Sequence, residues 1–172
     1  NAQIKMFRGE GIVNSANTVT AHAVSFEANN IILATGSRPF VPPIKGVESA
    51  NYHTTDTFFN LQALPNQLTI IGGGVIAIEM AFALAPMGTK VTVLNHSADI
   101  LQTEEPDARP IIKEKMKQLG INLVTNFKFE EIRPNEVVTS IGSFPYENLL
   151  FATGRRPNTK IAEQLGLEMA GN

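Results

Sequence analysis

The sequence predicts an α/β fold: a parallel βαβαβ sheet followed by an antiparallel β-meander, with further strands ahead of it. Three observations lead there. From residue 67 onward, short apolar runs rich in β-branched residues alternate with longer helical stretches, the signature of a parallel sheet with crossover helices. Glycines stand where a strand must turn into a helix or a helix must stop, at Gly72 to Gly74, Gly88 and Gly120. Two segments, 31–39 and 149–157, repeat one design: an apolar strand, then Ala-Thr-Gly, a polar residue, Arg and Pro.

The elements follow in order. Residues 18–27 alternate in part and carry β-branched side chains, so a strand is expected there, with His22 inside it as a structural residue and another strand near 11–13. Asn29-Asn30 suits a turn. Residues 31–35 run apolar into Gly36, as a strand buried on both faces would. Pro39, Pro42 and Pro43 then hold the chain extended, because proline neither donates to a ladder nor sits within a helix. Residues 41–64 read as a connector with one short helix near 56–61.

Strands are expected at 68–71, 90–94, 121–124 and 148–153, and helices at 74–87 and 106–119. Pro106 and Pro110 are tolerable in the second helix only near its opening turn. The segments 127–132, 136–139 and 143–144 read as the antiparallel meander.

The chemistry concentrates at Gly72-Gly73-Gly74-Val75-Ile76-Ala77, a G-x-G-x-x-A pattern directly after a strand and at the opening of a helix. Gly72 permits the tight turn, Gly74 lets backbone approach a pyrophosphate, and Ala77 lets helix and strand pack closely. The unpaired N–H groups at Val75 and Ile76, with the positive end of the helix dipole, suit a phosphate. This is a Rossmann-like dinucleotide site. Glu79 lies on the same helix among Ile76, Ile78, Met80, Ala81 and Phe82, and an unpaired buried carboxylate is costly, so it is expected to face a partner or a cleft.

Cofactor choice is read at the end of the second strand. A site for NAD places an acid about 20 residues after the glycines. Here stand Asn95, His96 and Ser97, all able to donate to a 2′-phosphate, with no acid until Asp99. The missing acid favours NADP over NAD. Gly36 and Gly154 leave room for a ligand at a strand's carboxyl end, and Arg155 or Arg156 beside Gly154 suits a phosphate.

Composition excludes much else. Cysteine is absent from the 172 residues, which rules out a disulfide framework, a thiolate metal site and cysteine nucleophily within them. His22, His53 and His96 are far apart, and no metal-ligand spacing or nucleophile elbow is present. A net charge of −2 and no basic patch argue against nucleic acid as a partner. The longest apolar stretch, 68–87, is broken by three glycines, Glu79 and Pro86, unlike a membrane span. A cytoplasmic location is expected.

Together, Ala34-Thr35-Gly36-Ser37-Arg38-Pro39, the glycine turn through Glu79, the 54–65 connector and Ala152-Thr153-Gly154-Arg155-Arg156-Pro157-Asn158 resemble the pyridine nucleotide–disulfide oxidoreductases. The likeness is to the branch holding glutathione reductase, dihydrolipoamide dehydrogenase and mercuric reductase, and it covers nearly the whole chain. It implies that 1–40 end an FAD-binding domain, with Thr35 and Gly36 on the FAD side, that 41–64 connect, that 65–156 bind NAD(P)H, and that 157–172 return to the FAD domain. It further implies that Glu79 lies near the nicotinamide, that Gly154 flanks it, and that Val75 stands where some members carry a tyrosine over that pocket. Hydride would pass from NAD(P)H to FAD and on to a disulfide, in a full-length homodimer whose redox cysteines, second FAD motif and dimerisation domain lie outside these residues. The chain alone would bind nucleotide and catalyse nothing. The rival readings are a stand-alone nucleotide sensor and a related NADH oxidase or ferredoxin reductase.

Overall fold

The computed structural model describes residues 4–170. The chain divides into two compact units, one of Pro39–Arg156 and one of Asn1–Arg38 with Pro157–Asn172.

The two-segment unit opens with β1 (Gly11–Val13), β2 (Thr18–Ala21) and β3 (Val24–Glu27), an antiparallel meander that aligns Val13, Val19 and Phe26 across one face. The single strand expected over 18–27 is thus a hairpin. His22 and Ala23 both take positive φ, 49° and 64°, and reverse the chain between β2 and β3. A two-residue turn of this hand is normally signalled by Asn-Gly. His-Ala carries no such signal, so the alternation looked unbroken, and His22 is a turn residue.

Residues 31–36 are not a strand either. Ile32 is 91% exposed, and no described strand pairs with this run. β-Forming side chains become a strand only where a neighbour takes up the backbone hydrogen bonds. A short strand, β4 (Ser37–Pro39), leads out of the unit. No described residue of this unit is fully buried.

The continuous unit holds a five-stranded, all-parallel sheet. Its strands are β5 (Tyr52–Thr54), β6 (Gln67–Ile71), β7 (Lys90–Asn95), β8 (Asn122–Thr125) and one that arrives late in the chain. Between them come α1 (Val75–Leu84) and α2 (Ala108–Gln118), then the antiparallel meander β9 (Phe129–Arg133), β10 (Glu136–Thr139) and β11 (Gly142–Pro145), and last β12 (Asn148–Phe151). The spatial order is β5-β12-β6-β7-β8, so the strand order reverses beside β6. β13 (Arg155–Pro157) returns the chain to the other unit, where α3 (Lys160–Gln164) follows.

The sheet is covered on both faces, and its period of two divides the side chains between them. Leu68, Ile70, Val91, Val93 and Leu150 face one layer with Ala77, Ile78, Ala81 and Leu84 of α1 and Met116 of α2. Ile71, Leu94, Leu149 and Phe151 face the other, with Ile132 and Val137 of the meander, Phe127 and Tyr146. That is why β6 and β12 read as continuous apolar runs. Within β6 Thr69 is polar yet fully buried, and it donates to Pro145 O at 3.2 Å.

Two elements differ from expectation. β5 lies inside the expected connector, pairing in parallel with β12 through Tyr52 to Leu149 and Thr54 to Phe151. Three residues are too few for a periodicity to show. The helix expected over 74–87 is α-helical only to Leu84, and 85–87 form a tighter 3-10 turn. Pro86 has no N–H for the carbonyl four residues back, so the α-ladder cannot continue. Gly88 then closes the element at φ 99°. Among the described residues no helix is long and apolar enough to cross a membrane.

Candidate functional site

The carboxyl ends of β6, β7 and β12 meet where the strand order reverses, the place at which open α/β sheets bind ligands. The three glycines there serve different ends. Gly72 takes φ 128°, and a Cβ on it would stand 2.3 Å from Ala152 O. A Cβ on Gly73 would stand 2.5 Å from Asn95 Cγ. Both absences are demanded by the protein's own packing. Gly74 is different: its φ of −82° suits any residue, and a Cβ would meet nothing within 4 Å. The open space lies at the start of α1. No side chain caps that helix, so its opening N–H groups face outward from Val75 and Ile76, both part-exposed.

Two clefts flank the turn. One, of about 260 Å³, is lined by Ile71, the three glycines, Asn95, His96 and Ala152 to Gly154. The other, of about 180 Å³, shares Gly73, Gly74 and Asn95 and adds Ser97, Asp99 and Leu101 to Thr103. The expected residues Gly72, Gly73, Gly74, Asn95, His96, Ser97 and Gly154 are therefore gathered at one place. The loop 99–103 carried no motif, and only its folding back against the turn brings it in. Leu101 N donates to Gly73 O at 2.8 Å, and the Asn95 amide donates to Asp99 O at 2.8 Å and Ser97 O at 3.4 Å.

Those bonds give Asn95 a structural part. Its side chain is turned inward, the residue is only 6% exposed, and its amide donates to the loop. It braces the two clefts that it lines. His96 is exposed beside Phe129, with ring centroids 6.4 Å apart, and its Nε2 lies 3.5 Å from Ser97 Oγ. Asp99 Oδ1 accepts from Ile100 N at 2.7 Å and pairs with Lys113 at 2.7 Å. The Lys113 ammonium holds the Asp99 carboxyl below its ordinary range.

Three more of the expected residues have defined surroundings. Glu79 is exposed and, among the described residues, has no ion-pair partner, so the cost of burial does not apply to it. The helix looked apolar all round, but α1 leaves Val75, Ile76 and Glu79 to solvent on its first turns. Arg155 is engaged: its Nη1 donates to Asp56 Oδ1 at 2.7 Å and to Thr55 Oγ1 at 2.8 Å, tying β13 to the turn after β5. Thr35 is engaged too, within its own unit.

The repeated Ala-Thr-Gly segments now have a physical meaning. In one unit, Thr153 Oγ1 donates to Phe40 O, and Phe40 N donates to Gly154 O at 2.9 Å. In the other, Thr35 Oγ1 donates to Asn158 O at 3.0 Å, and Asn158 N donates to Gly36 O at 2.9 Å. The bonds match position for position. Each threonine closes a clasp beside its glycine, and each glycine, at φ 67° and 100°, makes the turn that the clasp needs.

The comparisons with known proteins agree. A family model described as pyridine nucleotide-disulphide oxidoreductase matches residues 1–172. The dihydrolipoyl dehydrogenase of Acholeplasma laidlawii is 33% identical over 96% of this chain and 52% of its own length. The mercuric reductase of Staphylococcus aureus is 31% identical over 96% of this chain and 31% of its own. The HOCl-induced flavoprotein disulfide reductase RclA of Escherichia coli superposes with a TM-score of 0.83 at 28% identity, covering 94% of this chain and 39% of that one. The chain thus spans a third to a half of the relatives it matches. It belongs to the pyridine nucleotide-disulphide oxidoreductase family, whose members are FAD-dependent oxidoreductases using pyridine nucleotides.

Proposed function

We propose that the continuous unit is the NAD(P)H-binding domain of an FAD-dependent disulfide reductase, and that the two-segment unit is a portion of its FAD-binding domain. The observation that carries the reading is the open side of Gly74. Two glycines are explained by close packing, while the third is demanded by nothing in the protein. Its missing Cβ leaves backbone bare where an uncapped helix begins between two clefts. A diphosphate fits that description: it needs close main-chain approach, several N–H donors and a favourable dipole.

In this reading Gly74, Val75 and Ile76 hold the diphosphate, with one nucleoside in each flanking cleft. A bound nicotinamide supplies a hydride for the flavin, and from there electrons pass to a disulfide. Gly154 leaves the end of β12 clear for the nicotinamide half, and Glu79 stands exposed on the neighbouring helix face. The clasps at Thr35 and Thr153 fix the ends of the strand-like segments from which ligand-facing residues project. The redox cysteines belong to other parts of the enzyme, so this chain binds nucleotide without turnover, and the whole enzyme is a homodimer.

The test is calorimetric titration with NADH and with NADPH, on the native sequence and on Gly74→Val. Saturable binding that Gly74→Val weakens at least tenfold, with the melting temperature unchanged, supports the reading. Absence of binding to either nucleotide at millimolar concentration overturns it.

A further inference from the structure

Cofactor preference in a site of this class is set where the adenosine ribose meets the end of the second strand. By spacing, no acid is available there: position 95 is Asn, and Asp99 is four residues further on. The fold removes that distance. The Asn95 amide grips the Asp99 carbonyl, Leu101 N grips Gly73 O, and the loop between closes onto the glycine turn. Asp99 thereby lines the smaller cleft together with Gly73 and Gly74.

The Asp99 side chain is 31% exposed, and the ion pair and the Ile100 bond both use Oδ1. The cations of the neighbourhood are otherwise occupied. Lys113 pairs with Asp99 itself, and Arg109 donates to the carbonyls of Leu101, Gln102 and Glu104 at 3.0 to 3.1 Å. Glu104, Glu105 and Asp107 follow in the sequence, so residues 96–113 hold four acids against two bases.

We propose that Asp99 sets the cofactor preference of this cleft, accepting the ribose 2′-hydroxyl of NADH and turning away the 2′-phosphate of NADPH. The proposal rests on the nucleotide-binding reading and reverses the preference that the bare spacing favours. A carboxylate accepts from a hydroxyl and gains from it, whereas a phosphate brought to the same place meets like charge, with Lys113 and Arg109 already engaged. Asn95, which by spacing is the discriminating position, acts by holding Asp99 in place.

The experiment compares dissociation constants for NADH and NADPH on the native sequence, Asp99→Asn and Asp99→Ser, each checked for a cooperative melt. NADH binds more tightly to the native protein, and either substitution narrows the NADH-to-NADPH ratio by about tenfold, the scale of one hydrogen bond to a charged group. NADPH binding as tightly as NADH overturns the proposal while leaving nucleotide binding intact. So does an unchanged ratio in whichever variant folds. Failure of both nucleotides to bind removes the underlying reading and the proposal with it.

Discussion

Gly72 and Gly74 are two residues apart and make opposite predictions. Gly72→Ala places a methyl 2.3 Å from Ala152 O on a backbone at φ 128°. L-residues avoid that region, and the strain alone costs about 1–3 kcal/mol. Urea denaturation should therefore show a loss of at least about 2 kcal/mol, whatever ligand is present. Gly74→Val fills open space at an ordinary φ, and removing glycine narrows the unfolded ensemble, so stability should hold or rise by about 0.4–1 kcal/mol. Only nucleotide affinity should fall. The sequence showed that this turn mattered, because the glycine spacing and its strand–helix setting both lie in the primary structure. It did not show which glycine the packing requires and which it leaves open, since Ala152 and Asn95 are distant in the sequence. Asp99 was illegible for the same reason: its place in the cleft depends on bonds from Asn95 and Gly73 that no spacing rule contains.

Elements were legible in proportion to their length and to how fully their neighbours lie within the described residues. The parallel strands β6, β7, β8 and β12 could be read as short apolar runs, and both long helices as longer stretches stopped by glycine. β5 was too short, and the His22-Ala23 turn lacked the usual residues. The run 31–35 has strand-like side chains without a described partner strand. The Ala-Thr-Gly repeat was visible but ambiguous, and the clasp gives it an energetic test. Thr153→Val keeps the shape and removes the donor to Phe40 O, so it should cost about 1 kcal/mol. Thr35→Val should cost less, because Thr35 is exposed and water replaces its bond. Equal losses in urea titrations would refute this account. The Asp99–Lys113 pair links the loop after β7 to α2 and gives a pH dependence of known sign. The folded Asp99 carboxyl is held below its ordinary 3.8. Its contribution is therefore full above that value and is lost as pH falls through the lower, folded one. Asp99→Asn should flatten this part of the acid-stability profile, measured by thermal melts at stepped pH.

For the molecule as a whole, stability is concentrated in the continuous unit. Both apolar clusters, with every residue packed against them, fall between Val41 and Ala152. The five-stranded sheet, both long helices, the β9–β11 meander and the two clefts are likewise contained in residues 39–156. The two-segment unit has no fully buried described residue, and its three-stranded meander leaves Val24 at 52% and Ile12 at 57% exposure. A sheet stable by itself needs an apolar face covered by another layer. Residues 39–156 alone should therefore melt cooperatively and retain nucleotide affinity within a few-fold of the entire chain. In native-state hydrogen exchange, amides of β6, β7 and β12 should open only with global unfolding, whereas those of β1, β2 and β3 should exchange through local opening. The order of protection is the decisive measurement. Strands β1 to β3 as slow as β6, or a 39–156 fragment without a cooperative transition, would mean that the fold draws its stability from burial shared across both units.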